Sequence, residues 1–163
     1  MATRAIFTPE SAAYPSSNFP FLGKDAQSRL YLAFDASTDE TCYWTGIAPQ
    51  GLTGTITVIV SYYMASATSG AARLQAALEA VTDGDTTDLD ATTSFDTDNS
   101  AGATVPGTAG YLDQISITMT NADSLTAADY FRLRLKRDAD GTSGTDDATG
   151  DMYVLAVELR DGA

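Results

Sequence analysis

"DYFRLRLKRDADGTSGTDDATGDMYVLAVELRD", residues 129–161, decides the fold. Phe131, Leu133 and Leu135 fall on one side of an alternating run, and Arg132, Arg134 and Lys136 fall on the other. After a stretch of Asp, Gly and Thr, the alternation resumes. Leu155, Val157 and Leu159 face one way, with Val154, Ala156, Glu158 and Arg160 opposite. A period of two is the signature of a half-buried β-strand. The intervening run has the composition of an exposed connection. Antiparallel pairing across it sets Arg132 opposite Glu158, a cross-strand contact of about 0.2–1 kcal/mol.

Working outward, the same pattern recurs. "RLYLAFD" puts Leu30, Leu32 and Phe34 on one face, and "TCYWTGI" does the same for Cys42 and Trp44. "GTITVIVSYYM" alternates Ile56, Val58 and Val60 against Thr55, Thr57 and Ile59, with β-branched residues throughout. "AARLQAALEAV" fits both a helix and a strand; in an all-β setting it is read as a strand. The polar stretch 83–110 suggests one or two short edge strands around residues 91–96. "YLDQISITMTN" offers Leu112, Ile115, Ile117 and Met119 to the core, with a bulge between Leu112 and Ile115, and "NADSLTAADY" suits a short helical turn. The expectation is an all-β domain: a jelly-roll-like antiparallel β-sandwich of about eight strands over residues 29–163.

Residues 1–28 read differently. They hold Pro9, Pro15 and Pro20 and keep no strand or helix period. Ile6, Phe7, Tyr14, Phe19, Phe21 and Leu22 are scattered through them, too many large apolar groups for a solvated tail. An extended arm lying in a groove, on its own domain or a neighbour, accounts for them.

Composition excludes several chemistries. The chain has 163 residues, a net charge of −13 and one cysteine, Cys42. Its acidity disfavours phosphate backbones and anionic lipid, so nucleic acid and membrane are not expected partners. No apolar run is long enough to span a bilayer as a helix, and the first residues lack the apolar core of a secretory signal, which suggests an intracellular site of synthesis. There is no histidine, which removes Ser-His-Asp and Cys-His nucleophiles and His-ligated metals. Among so many carboxylates a glycosidase pair carries no signal. The expectation is a protein that is not an enzyme and holds no cofactor.

Three groups of residues remain as candidate binding sites. Trp44, Tyr62 and Tyr63 are rings on which a sugar could stack. Arg132, Arg134 and Lys136 form a basic strip in an acidic chain, seeking carboxylates such as Glu158 within the sheet or on a neighbouring subunit. Asp138, Asp140, Asp146 and Asp147 are oxygen ligands of the kind calcium takes, but they lack the EF-hand spacing, and a connection is the better reading. The cluster Asp83, Asp85, Asp88 and Asp90 reads as a turn in the same way.

Three strings, "YYMASATSG", "VPGTAG" and "YFRLRLKRDADG", resemble strings found in small jelly-roll structural proteins of tailed bacteriophages, and the resemblance covers residues 29–161. It implies a non-enzymatic virion component. The leading form is a capsid decoration (cement) protein on the outside of the head. On the resemblance it would be a homo-oligomer, a trimer, stabilising the lattice of the major capsid protein. The alternative is a tail- or fibre-associated module that binds a carbohydrate or receptor.

Overall fold

The structure is a computed structural model describing residues 1–162. The β-branched and aromatic run in the middle of the chain forms its central strand. In order, the strands are β1 (Ala2–Phe7), β2 (Phe21–Lys24), β3 (Leu30–Phe34), β4 (Thr41–Ile47), β5 (Ile56–Met64), β6 (Ala71–Val81), β7 (Asn99–Thr104), β8 (Asp113–Met119), β9 (Tyr130–Arg137) and β10 (Met152–Asp161). A short 3-10 turn, Pro9–Ser11, follows β1. Among the described residues no helix is long and apolar enough to cross a membrane.

The strands form two antiparallel sheets. The first has the order β2-β3-β10-β5-β8, and β1 also pairs with β10; the second has the order β4-β9-β6-β7. Strand β10 is long enough to take two partners on one side: Met152–Val154 pairs with β3, and the stretch from Val157 to Asp161 pairs with β1. The inner faces meet in one core. Leu32, Phe34, Val58, Val60, Ile115, Ile117, Val157 and Leu159 come from the first sheet, with Cys42, Trp44, Leu74, Leu78, Leu133 and Leu135 from the second. The all-β sandwich read from the sequence is the observed fold, including a strand rather than a helix at Ala71–Val81.

Several local expectations are corrected. The two alternating runs of residues 129–161 are not a hairpin, because β9 lies in the second sheet and β10 in the first. The intervening loop crosses between layers and wraps around Arg137. Its side chain is fully buried and donates to Asp146, to the carbonyls of Ala148 and Gly150, and to the carbonyl of Phe34. The loop therefore folds around an internal cation instead of closing a turn between paired strands.

In β10 a bulge between Val154 and Ala156 switches the buried face from Met152 and Val154 to Val157 and Leu159, leaving Leu155 on the outer side. The bulge expected near Leu112 is absent, because β8 pairs with β5 in unbroken register and Leu112 lies before it, exposed. Residues 91–96 are loop; the edge strand is β7, at Asn99–Thr104. The segment 121–129 holds turns and no helix.

Residues 1–28 lie along this same sandwich and supply two of its strands. Phe7 is the anchor: its ring sits 5.9 Å from Trp44 and 6.1 Å from Phe131. Ala13 makes a bridge with Tyr43.

Candidate functional site

The candidate aromatics, Trp44 of β4 and Tyr62 and Tyr63 of β5, divide by face. Trp44 and Tyr62 project into the core, 2% and 0% exposed. The Trp44 indole N–H donates to the Thr8 carbonyl at 3.1 Å, and the Tyr62 hydroxyl donates to Asp113 at 2.9 Å. Burial, then the bond to Asp113, pushes the Tyr62 phenol far above its ordinary value. Neither ring reaches solvent, so neither can stack on a ligand. Tyr63, one residue further along, points outward, as the period of two requires.

On that outer face Tyr63 meets two tyrosines from neighbouring strands. Tyr153 of β10 is its direct cross-strand partner. The rings of Tyr63 and Tyr153 are 5.3 Å apart and nearly perpendicular, at 82°. Tyr31 of β3 stacks on Tyr153 at 4.0 Å with its plane only 4° off, and lies 6.5 Å from Tyr63. Those three separations make a near-right angle at Tyr153. The group is therefore a corner: a stacked pair along one arm and a crosswise ring along the other. Gly23 makes room for it, since a Cβ there would come within 2.7 Å of the Tyr31 ring. Burial raises the phenols of Tyr63 and Tyr153 above their ordinary value, with smaller contributions from Asp25 at Tyr63 and from Tyr31 at Tyr153. Both stay protonated and neutral near pH 7.

Tyr63 also walls a depression of about 490 Å³, lined by Leu112 and Leu155 on the apolar side and by Asp25, Gln27 and Arg29 on the polar side. The polar side is held by its own turn. The Asp25 carboxylate accepts the backbone N–H of Gln27 at 2.8 Å and of Arg29 at 2.9 Å, and the Arg29 Nε at 3.0 Å. The backbone bond from Arg29 does most to hold the Asp25 carboxyl below its ordinary range. A hollow with one aromatic wall, an apolar floor and a pre-set polar rim suits a small neutral ligand with apolar and hydroxyl-bearing faces.

The basic strip lies on the outer face of the second sheet and is paired there. Arg132 contacts Glu79 at 3.0 Å, Arg134 contacts Asp98 at 2.9 Å, and Lys136 contacts Asp39 at 3.2 Å. The Arg132 guanidinium also lies 5.1 Å from the Tyr43 ring and 5.0 Å from the Phe95 ring. Glu158 sits in the other sheet and pairs with Arg160 at 2.9 Å. The Arg132–Glu158 contact expected from a hairpin does not form, because β9 and β10 belong to opposite layers.

The acidic loop is occupied by its own chain. Asp146 is taken by Arg137, and Asp147 accepts the Ala71 N–H at 2.6 Å. Asp138 accepts from Thr142 at 2.9 Å and from the Ser143 backbone at 2.8 Å, and Asp140 approaches it with Asp39. Asp85 and Asp88 accept backbone N–H groups of Thr82 and Asp90, which makes the 83–90 cluster a set of turns. In residues 1–28, Phe7 is buried, whereas Ile6, Tyr14, Phe19, Phe21 and Leu22 are exposed, with Tyr14 and Phe19 in contact at 5.5 Å.

Of the candidate aromatics, then, only Tyr63 belongs to an outer site. Tyr31 and Tyr153 were missed. Their signal was present: each is an aromatic at an outward position of an alternating strand, where a polar residue is usual.

No family model matches the chain, and no curated protein matches it. Among solved structures, the chain is similar to the CBM35 from Cellvibrio japonicus Abf62. The TM-score is 0.53 and the identity 8%, over 99% of this chain and 95% of that one. A second similarity is to TmCBM61, solved in complex with β-1,4-galactotriose, with a TM-score of 0.39 and 11% identity over 97% of this chain and 88% of that one. The first likeness shows a shared jelly-roll-like sandwich; the second is too low to establish a common fold.

Proposed function

We propose that this chain is a non-catalytic carbohydrate-binding module, with its site in the depression beside Tyr63. The observation that carries this reading is the tyrosine corner on the outer face of the first sheet, bordering a hollow with a fixed polar rim. A pyranose has an apolar C–H face that packs on an aromatic ring and hydroxyls that need fixed donors and acceptors. Asp25, Gln27 and Arg29 supply those. The negative charge of the chain is indifferent to a neutral sugar and unfavourable to a nucleic acid. The fold shared with the CBM35 module supports the reading at the level of architecture.

Calorimetric titration with a panel of neutral oligosaccharides tests this. Binding is expected to weaken roughly tenfold, about 1.4 kcal/mol, in Tyr63→Ala, and to stay unchanged in Asp90→Asn on a distant loop. Absence of binding across the panel, or binding indifferent to Tyr63, sinks the reading.

A second reading rests on the phage-like strings and on the exposed apolar groups Ile6, Phe19, Phe21 and Leu22. In it the protein is a virion component that uses this surface to assemble with its own copies or with the major capsid protein. The tyrosine hollow then serves tail-borne receptor binding, or is incidental to a cement role on the capsid. Light scattering and particle sedimentation separate these possibilities. The Phe19→Ser, Phe21→Ser double variant is expected to lose an oligomer or particle association that the parent shows. A parent that is monomeric and does not sediment with phage particles ends this reading while leaving the first intact.

A further inference from the structure

The chain has nine Lys and Arg residues. Among the described residues, all but Lys24 and Arg73 hold a carboxylate. Lys24 is exposed on an edge strand. Arg73 is different, because its Nε is buried without a hydrogen-bond partner. A charged donor removed from water and left without an acceptor is costly, and native structures seldom tolerate one without a reason.

The lack of a partner is not a lack of carboxylates nearby. Asp146 accepts the Arg73 backbone N–H at 2.9 Å, and Asp147 accepts the Ala71 N–H at 2.6 Å. Both turn to the backbone, and Asp146 turns also to Arg137, so neither neutralises the Arg73 guanidinium. The guanidinium lies instead against Gly144. A Cβ at that position would fall 2.2–2.4 Å from its Nη2, Nε and Cζ, and Gly144 has φ +149, a conformation that favours glycine. Opposite, Gly102 of β7 pairs with Arg73 in the sheet. The result is a groove of about 250 Å³ on the outer side of the second sheet, lined by Arg73, Thr104 and Thr145 with the small residues Ala71, Gly102 and Ala103.

We propose that the Arg73 groove is a binding site for an oxyanion, a carboxylate or sulfate carried either by a small molecule or by an acidic polymer. The guanidinium offers its two Nη groups as parallel N–H donors to two oxygens of such a group, and Nε, covered at Gly144, is reached only if that loop shifts. Thr104 and Thr145 line the same groove and carry hydroxyls for the remaining oxygens, and the small residues leave the approach open. The groove is on the opposite sheet from the tyrosine hollow, so this site stands or falls independently of the carbohydrate reading.

Arginine-resolved ¹H–¹⁵N spectra of the full chain test it, with titrations of sodium acetate, sodium sulfate, oligogalacturonate and dextran sulfate at constant ionic strength. Saturable shifts are expected at the Arg73 Nε–Hε and at the backbone amides of residues 102–104. The amide shifts should vanish in Arg73→Gln. They should need at least fivefold more anion in Arg73→Lys, which keeps the charge and loses the fork. At least tenfold tighter binding of the polymers identifies an acidic chain as the ligand; equal binding of the small salts identifies a free anion. No saturable shift with any of the four probes overturns the proposal, as do amide shifts that persist unchanged in both variants.

Discussion

Arg137 and Asp146 form a two-bond ion pair, 3.1 Å from Nε to Oδ2 and 2.9 Å from Nη2 to Oδ1, with both side chains closed off from water. The remaining guanidinium donors are taken by the carbonyls of Phe34, Ala148 and Gly150. This pair ties the end of β9 in one sheet to the loop that starts β10 in the other, and so holds the crossing between layers.

Breaking the pair from one side leaves a buried charge uncompensated. Arg137→Met and Asp146→Asn are each expected to cost about 3–5 kcal/mol of unfolding free energy. The double variant should cost less than the two single losses added together. Urea denaturation of the four proteins gives the coupling; additive losses would show that the pair does not act as a unit.

Phe7 joins the first strand to the core through Trp44 and Phe131. Phe7→Ala leaves a void that the rigid β1–β10 pairing cannot close, and a loss of about 3–5 kcal/mol is expected. Ile6→Ala, at the exposed neighbouring position, is expected to change stability by less than about 0.5 kcal/mol. Equal effects at the two positions would refute the anchoring role.

Asp161 accepts Arg4 Nε at 2.6 Å and the Thr53 backbone N–H, and the Arg4 bond does most to hold its carboxyl below the ordinary 3.8. The folded value is the lower one. The stabilisation is therefore complete above the unfolded value near 3.8 and is lost as pH falls through the folded value. Melting temperature should be flat from pH 7 to 5 and fall below pH 4. The fall should be shallower in Asp161→Asn, and an unchanged slope there would remove Asp161 from the account.

Cys42 is fully buried, and desolvation, then the nearby Glu40 charge, raises its thiol well above the ordinary value. A thiolate is the reactive form, so the native protein is expected to resist an aromatic disulfide reagent for hours and to react within minutes in denaturant. Fast labelling of the native chain would contradict this packing.

Gly23 lies under the Tyr31 ring, and a Cβ there would press on it at 2.7 Å. Gly23→Ala is expected to tilt Tyr31 off Tyr153 and lower the near-ultraviolet tyrosine dichroism, with a stability cost of about 1 kcal/mol. An unaltered spectrum would mean that the corner tolerates the methyl group without shifting.

Much was legible in the sequence. Alternation at Leu30–Phe34, Cys42–Trp44, Ile56–Met64 and Phe131–Leu135 specified strands, and it gave the buried face except at Leu30, which is exposed, and at Thr57 and Ile59, which are buried opposite Ile56, Val58 and Val60. The all-β setting settled Ala71–Val81. The lack of histidine and of a second cysteine excluded whole chemistries. Tertiary structure decided the pairings. The two runs within 129–161 carry identical alternation whether they pair with each other or with strands far away, and a long loop imposes no register. In the fold they pair with different strands, β9 with β4 and β6 and β10 with β5, β3 and β1, and the buried Arg137 lies at the crossing between them. The same holds for the site. Tyr31, Tyr63 and Tyr153 are outward residues of three strands that neighbour one another only once β10 lies between β3 and β5. Periodicity tells each ring which way to face; long-range strand order alone tells it which rings it will meet.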